Sequence, residues 1–219
     1  MDDLFTLWSH ARASLPLDAL AALTLLSILP FIAVMTTSFV RIVVVLSLVR
    51  SAIGSPTVPP NAVLTGLALI LTLLVMTPTM QAIGRDAVAP YAHGKLSQSA
   101  FVARAVAPLR GFMLRQAHAH DLAIFGRIAR RPPSEPSSRA PLGVLIPAFV
   151  VGELRSAFSI GVALYLPFLA IDLAVAAILM SLGMMMLSPP IVSLPLKLLL
   201  FVSVDGWALV CAGVSSSFR

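Results

Sequence analysis

The sequence predicts an all-α integral membrane protein. It is built of apolar helical hairpins, with a broken, re-entrant-like loop near the C-terminal end and a small helical extramembrane segment. Three observations lead there. Of 219 residues, 58% are hydrophobic and 11% charged, with a mean hydropathy of +0.98, whereas a soluble domain carries about 25% charge. Uncharged runs recur at 19–40, 62–83 and 173–196, each at or above the roughly 20 residues a spanning helix needs. A basic stretch, 85–140, stands between the second run and the third. The chain accordingly divides into 1–84, an N-terminal segment and first apolar hairpin; 85–141, a basic extramembrane helical segment and linker; and 142–219, C-terminal apolar hairpins.

The net charge of +6 does not indicate nucleic acid, because no basic run with interleaved aromatics accompanies it; the charges flank the apolar runs. Cys211 is the single cysteine, so an internal disulfide is excluded and the thiol reads as packing. No GxxxxGK[ST] phosphate loop and no HExxH pair is present, which removes the nucleotide and zinc chemistry those motifs serve. The expectation is a protein with no cofactor and no enzymatic activity.

Taken in order, the start is acidic and shows no small-residue cleavage site after a short apolar core, so it does not read as a secretory signal. Run 19–40 is long enough to span, and Pro30 within it predicts a kink or a helix start. Arg41 then interrupts, and 42–49 continues apolar to Arg50. The bland reading of Arg41 is an interface charge with its head in water. The turn Gly54-Ser55-Pro56-Thr57-Val58-Pro59-Pro60 follows, and Asn61 stands where a helix cap belongs. Two apolar helices about a short turn make an antiparallel hairpin.

Residues 85–140 hold nine Lys/Arg, three Asp/Glu and three histidines. Met113, Ala117, Ile124 and Ile128 mark part of one helical face, and 130–139 reads as a flexible linker. His118, His120, Asp121 and His93 suggest a metal only superficially, since no further ligand spacing supports one; they read as solvated.

From Pro141 the chain is apolar again. Gly183 and the Pro189-Pro190 pair cut the long uncharged run, leaving 173–187, about 22 Å of helix, short of the roughly 30 Å of hydrocarbon. Irregular backbone at that depth survives only inside protein or beside a water-filled cavity. Residues 183–190 are therefore read as a loop within an assembly. Arg41, Glu153, Arg155, Asp172, Lys197 and Asp205 are the candidate buried or inter-subunit charges, because ionisable groups in apolar segments are functional candidates by default. Lys197 and Asp205 are eight residues apart, too far to pair on one helix, so their partners lie on another helix, on another subunit or in water.

One stretch carries a resemblance. Pro147-Ala148-Phe149, Glu153-Leu154, Ile160-Gly161, Pro167-Phe168-Leu169, Ile171-Asp172-Leu173, Gly183 to Leu187, Ser193-Leu194-Pro195 and Val204-Asp205-Gly206-Trp207 resemble the FliP/SctR family of type III secretion export apparatus proteins, found in flagella and in virulence injectisomes. PFIAVMTTSFVRIVVVLSLVRSAIG, PPNAVLTGLALILTLLVMTP and Phe112-Met113-Leu114-Arg115-Gln116 resemble it too. The resemblance implies a multi-pass protein of the bacterial inner membrane within the secretion-system base. It implies a pentameric ring completed by SctS/FliQ-like and SctT/FliR-like proteins, passing unfolded secretion substrates. It also implies that Met184, Met185 and Met186 form a gasket, on a loop shaped by Gly183, Pro189 and Pro190. The methionines alone would read as packing; Gly before and Pro-Pro after favour a gate. Flagellar members of that family generally begin with a secretory signal, so a start that does not read as one favours the injectisome branch. Positive charge beside the first turn and in 85–140 would put both on the cytoplasmic side, whereas the resemblance puts 85–140 in the periplasm; long loops cross largely regardless of charge. The rivals are a small-solute transporter subunit, for which broken helices are typical but an internal repeat is missing, and an intramembrane aspartyl protease using Asp172 and Asp205.

Overall fold

The computed structural model describes residues 17–55, 57–130, 139–184 and 186–218. Among them every regular element is a helix. In chain order these are α1 (Leu17–Thr36), α2 (Phe39–Ile53), α3 (Asn61–Ile83), a π-helical turn (Gly84–Val88), α4 (Ala89–Ala92), α5 (Gln98–Gln116), α6 (Ala119–Ile128), α7 (Leu142–Ser181), α8 (Pro189–Ser203) and α9 (Gly206–Ser216). Two compact units emerge, Met1–Val34 and Met35–Arg219.

In the first unit α1 runs through Pro30 without stopping, and the chain leaves helix at Thr37 and Ser38. The break expected near the proline thus falls seven residues later. A proline in an apolar helix removes one N–H, which neighbouring groups can make good, whereas the Thr-Thr-Ser run supplies hydroxyls that compete for the backbone.

In the second unit α2 and α3 form the expected hairpin around 54–60. Arg50 straps the turn, its Nη1 donating to the Pro59 carbonyl at 3.2 Å and to Asn61 Oδ1 at 2.6 Å. Asn61 is therefore the first helical residue and an acceptor for Arg50, while Pro60 occupies the cap position. Beyond Ile83 the helix does not end where the basic segment begins; it widens through the π-helical turn and continues to Ala92.

The largest departure from expectation is α7. A separate short helix after Asp172 does not exist; one continuous 40-residue helix carries Pro147, Pro167 and Asp172 within it. At 1.5 Å per residue it is about 60 Å long, twice the hydrocarbon thickness. Its two halves have different surroundings. Val144, Leu145, Ala148, Phe149, Gly152, Glu153 and Ala157 are buried, a stripe at three- and four-residue spacing covered by α2, α5 and α6. Toward the other end Val162, Leu166, Leu173, Ile178 and Met180 are exposed.

Two apolar clusters result. One joins Ile42, Val45, Leu46 and Val49 of α2 to Leu64 and Ala68 of α3, Ala157 and Phe168 of α7, Phe201 of α8 and Val210 of α9. The other joins Met76 to Phe112, Met113, Leu122, Val144 and Phe149, seating α5 and α6 on the first half of α7. Gly161 lies where α7 crosses α2, and a Cβ there would overlap the Leu48 side chain. Asn61–Ala92 and Leu142–Ser181 are each long and apolar enough to cross a membrane; counting each broken pair, Leu26–Thr36 with Phe39–Ile53 and Pro189–Ser203 with Gly206–Ser216, as one span gives up to four.

Candidate functional site

The candidate site is the loop joining α7 to α8, with the polar stem that holds it. Gly183 adopts a left-handed φ of 74°, which glycine enters freely. Its N–H donates to the Met180 carbonyl at 3.1 Å, and the Met184 N–H to the Leu179 carbonyl at 2.9 Å. This double bond pattern closes α7 as a Schellman cap. Pro189 and Pro190 then open α8, where a helix has no use for their missing N–H groups. Between the two ends Met184 and Met186 are exposed, Met186 fully. Met185 lies outside the described residues.

The stem is fixed by charge. Lys197 of α8, 4% exposed, donates to Asp172 Oδ2 at 2.5 Å, and Ser193 Oγ donates to Asp172 Oδ1 at 2.5 Å. Asp172 is nine residues before the end of α7 and Lys197 eight after the start of α8. The tie therefore sits about 13 Å below the loop, and the two helices stay in register up to the methionines. Lys197 thus finds its partner on a neighbouring helix of the same chain. Asp205 does not share the helix of Lys197. It takes a left-handed φ of 50° between α8 and α9, which bend by 65° there. It is exposed, and its side chain makes no hydrogen bond or ion pair among the described residues.

A second polar centre lies where α2, α5 and α7 meet. Arg41 is 3% exposed, so its guanidinium is not in water as the bland reading had it. Its Nε and Nη2 donate to Glu153 at 2.9 and 2.5 Å. Nη2 also donates to Gln116 Oε1 at 3.2 Å. Nη1 donates to the Ser217 carbonyl and hydroxyl at 3.0 and 3.1 Å. These bonds use all five guanidinium N–H groups, and the Phe218 ring covers the cation with its centroid 4.1 Å away. Glu153 is fully buried.

A third group surrounds Asp121. Far from solvated, it is 1% exposed and accepts from Arg155 Nη2 at 2.7 Å, so Arg155 ties α7 to α6. Sequence reasoning missed Gln116, Asp121, Ser193, Ser217 and Phe218. Only Asp121 had a signal, as an acid in line with the apolar positions Ala117, Ile124 and Ile128 at helical spacing. The others gain their roles from partners up to 176 residues away.

Comparison with known proteins decides the family. The model described as the FliP family matches residues 22–214. The chain belongs to the FliP family. Among the relatives, a protein of Pectobacterium carotovorum subsp. carotovorum is 47% identical over 205 residues, covering 94% of this chain and 80% of its own length. One of Buchnera aphidicola subsp. Acyrthosiphon pisum is 43% identical over 219 residues, 100% of this chain and 56% of its own length. One of Bacillus subtilis is 41% identical over 216 residues, 99% and 98%. All three are named flagellar biosynthetic protein FliP. The expected preference for the injectisome branch, and for virulence with it, is therefore not supported: these FliP relatives are flagellar, and an acidic start says nothing against that. The family match takes in the methionine loop, Arg41, Glu153, Asp172 and Lys197, and stops short of Ser217 and Phe218.

Proposed function

We propose that this chain is a core subunit of a type III, flagellar-type protein export channel in the bacterial inner membrane. Several copies form a ring, completed by FliQ-like and FliR-like proteins, and unfolded substrates pass through it. The observation that carries the reading is the bare α7–α8 hairpin. Its stem is locked by a partly buried ion pair, yet its flanks present Leu173, Ile178, Ile191, Leu199 and Val202 uncovered, with methionines at its tip. An apolar surface of that length is stable only against lipid or against more protein. The uncovered half of α7, 162–181, is about 30 Å long, close to the thickness of the hydrocarbon, so lipid and further protein can share in covering it.

A ring of such hairpins brings several methionine loops together. Methionine is apolar, unbranched and polarisable, so a ring of it excludes hydrated ions yet deforms around varied side chains. The chain has no phosphate loop of its own; the driving energy comes from other components. The protease rival has no footing, since both Asp172 oxygens are committed to Lys197 and Ser193 and a proton-sharing dyad needs one free to face a second acid. The transporter rival lacks an internal repeat.

The test replaces Met184, Met185 and Met186 together by alanine in secreting cells. The expected outcome is intact assembly with leakage of ions or small solutes, greatest during secretion. Failure to assemble without any leak would show that these residues pack the subunit and do not seal it.

A further inference from the structure

We infer that a cavity beside the Arg41 centre, about 200 Å³ in volume, is a binding site for a phosphate group. Its lining includes Arg41 of α2, Arg115 and Gln116 at the end of α5, His118 before α6, Ser156 of α7 and Ser217 beyond α9. The chemistry follows from which of these groups are already used. Arg41 has its five N–H groups taken by Glu153, Gln116 and Ser217, and Glu153 balances its charge. Ser217 Oγ accepts from Arg41 and donates to the Val214 carbonyl at 2.7 Å, and Gln116 Oε1 accepts from Arg41. Those three form a fixed wall. The other side is uncommitted. Arg115 and Ser156 make no hydrogen bond or ion pair among the described residues. His118 Nδ1 stands 4.0 Å from Asp121 Oδ2, outside hydrogen-bond range.

What that side offers is donors. Arginine has five N–H groups and no acceptor, serine one O–H, and an imidazole at least one N–H in either charge state. Neither nearby carboxylate neutralises them, because Glu153 is held by Arg41 and Asp121, behind His118, by Arg155. Arg115 therefore faces the cavity as an uncompensated positive charge. The volume is well above the roughly 10–15 Å³ that one water needs. The ligand that fits is negative, rich in acceptors and able to turn them in several directions. A phosphate group meets all three conditions. The Arg115 fork takes two of its oxygens, and the tetrahedral shape turns another toward Ser156 or His118. A planar carboxylate spent on the same fork turns no further oxygen toward α7. Seated there, the phosphate bridges the end of α5, the start of α6 and the first half of α7, bracing the basic segment against the long helix. Inorganic phosphate and the headgroup of an anionic phospholipid carry this group alike.

The test is calorimetric titration of inorganic phosphate into the full chain, purified with its bound partners in a nonionic detergent. Ionic strength is held constant, so that general screening of surface charge does not change, and acetate and chloride serve as controls. Saturable binding of phosphate is expected, with acetate and chloride about ten-fold weaker or worse. Arg115→Gln should lose about ten-fold in affinity, the worth of a charge-assisted bond, and Ser156→Ala about three-fold. Arg127→Gln, which removes an exposed cation of α6 outside the cavity lining, should bind like the wild type. Arg115 is exposed and unpaired among the described residues, so its variant should fold, as an unchanged melting temperature without phosphate would show. Repeating the titration in lipid discs assigns the source. Loss of the phosphate signal in phosphatidylglycerol, with the signal kept in phosphatidylcholine, assigns the site to an anionic headgroup; a signal kept in both assigns it to free phosphate. Phosphate that does not saturate in detergent overturns the site. So does acetate binding equally well, or Arg115→Gln binding as tightly as the wild type.

Discussion

At the scale of single residues, burial has turned isolated charges into paired ones. Arg41 has every N–H engaged and Glu153 has no access to water. Removing one member strands the other, which for a buried pair costs about 3–5 kcal/mol, whereas replacing both by apolar residues is often neutral. Arg41→Ala should therefore sharply lower the melting temperature of the purified chain in detergent, and Arg41→Leu with Glu153→Leu should recover most of the loss. Arg41→Lys should behave like the alanine variant, because a single ammonium cannot replace a fork with five donors. Lys197→Ala should likewise weaken the hairpin, and adding Asp172→Asn should restore part of it. If Lys197→Ala melts and exports like the wild type, the stem is not held by charge. The sequence marked each of these groups as anomalous, since charges in apolar runs stand out. It did not reveal the pairing of Arg41 with Glu153, 112 residues apart, because nothing local to either residue encodes the other.

At the scale of elements, uncharged length and turn chemistry located the helices well, and proline located their breaks badly. The α2–α3 hairpin was legible from a Pro/Gly-rich turn between two apolar runs. The continuity of α7 was not: Pro147 and Pro167 sit inside it, as apolar helices allow when neighbours supply the lost bonds. The true stop is Gly183, where a left-handed turn is required. Gly183→Ala should cost about 1–2 kcal/mol and broaden the loop without undoing the hairpin, seen as faster exchange at 182–184 alone. Gly161→Leu should be far worse, since its side chain would occupy the space of Leu48. Its expected signature is loss of the α2–α7 contact and aggregation in detergent. Asp205→Gly, by contrast, should be neutral or slightly stabilising, because the left-handed position suits glycine better and the carboxylate is exposed and makes no bond among the described residues. Were Asp205→Gly to abolish export while leaving the melting temperature unchanged, Asp205 would be reaching another subunit.

At the scale of the whole molecule, the described part of the chain has a well-packed end and a bare one. Two apolar clusters and the Arg41 centre consolidate α2, α3, α5, α6 and the first half of α7, while much of the α7–α8 hairpin flank stays exposed. Under the proposed function, that asymmetry is what a subunit stable in one half and completed by its neighbours in the other would show. Composition made the membrane class readable at once. The division into finished and unfinished halves was not readable, because both are equally apolar and differ only in what packs on them. The direct test is the native mass of the protein purified in mild detergent together with the small hydrophobic proteins that stay bound to it. A closed homo-oligomer carrying such partners is the predicted result. A stable, well-behaved monomer that binds none of them would contradict the account.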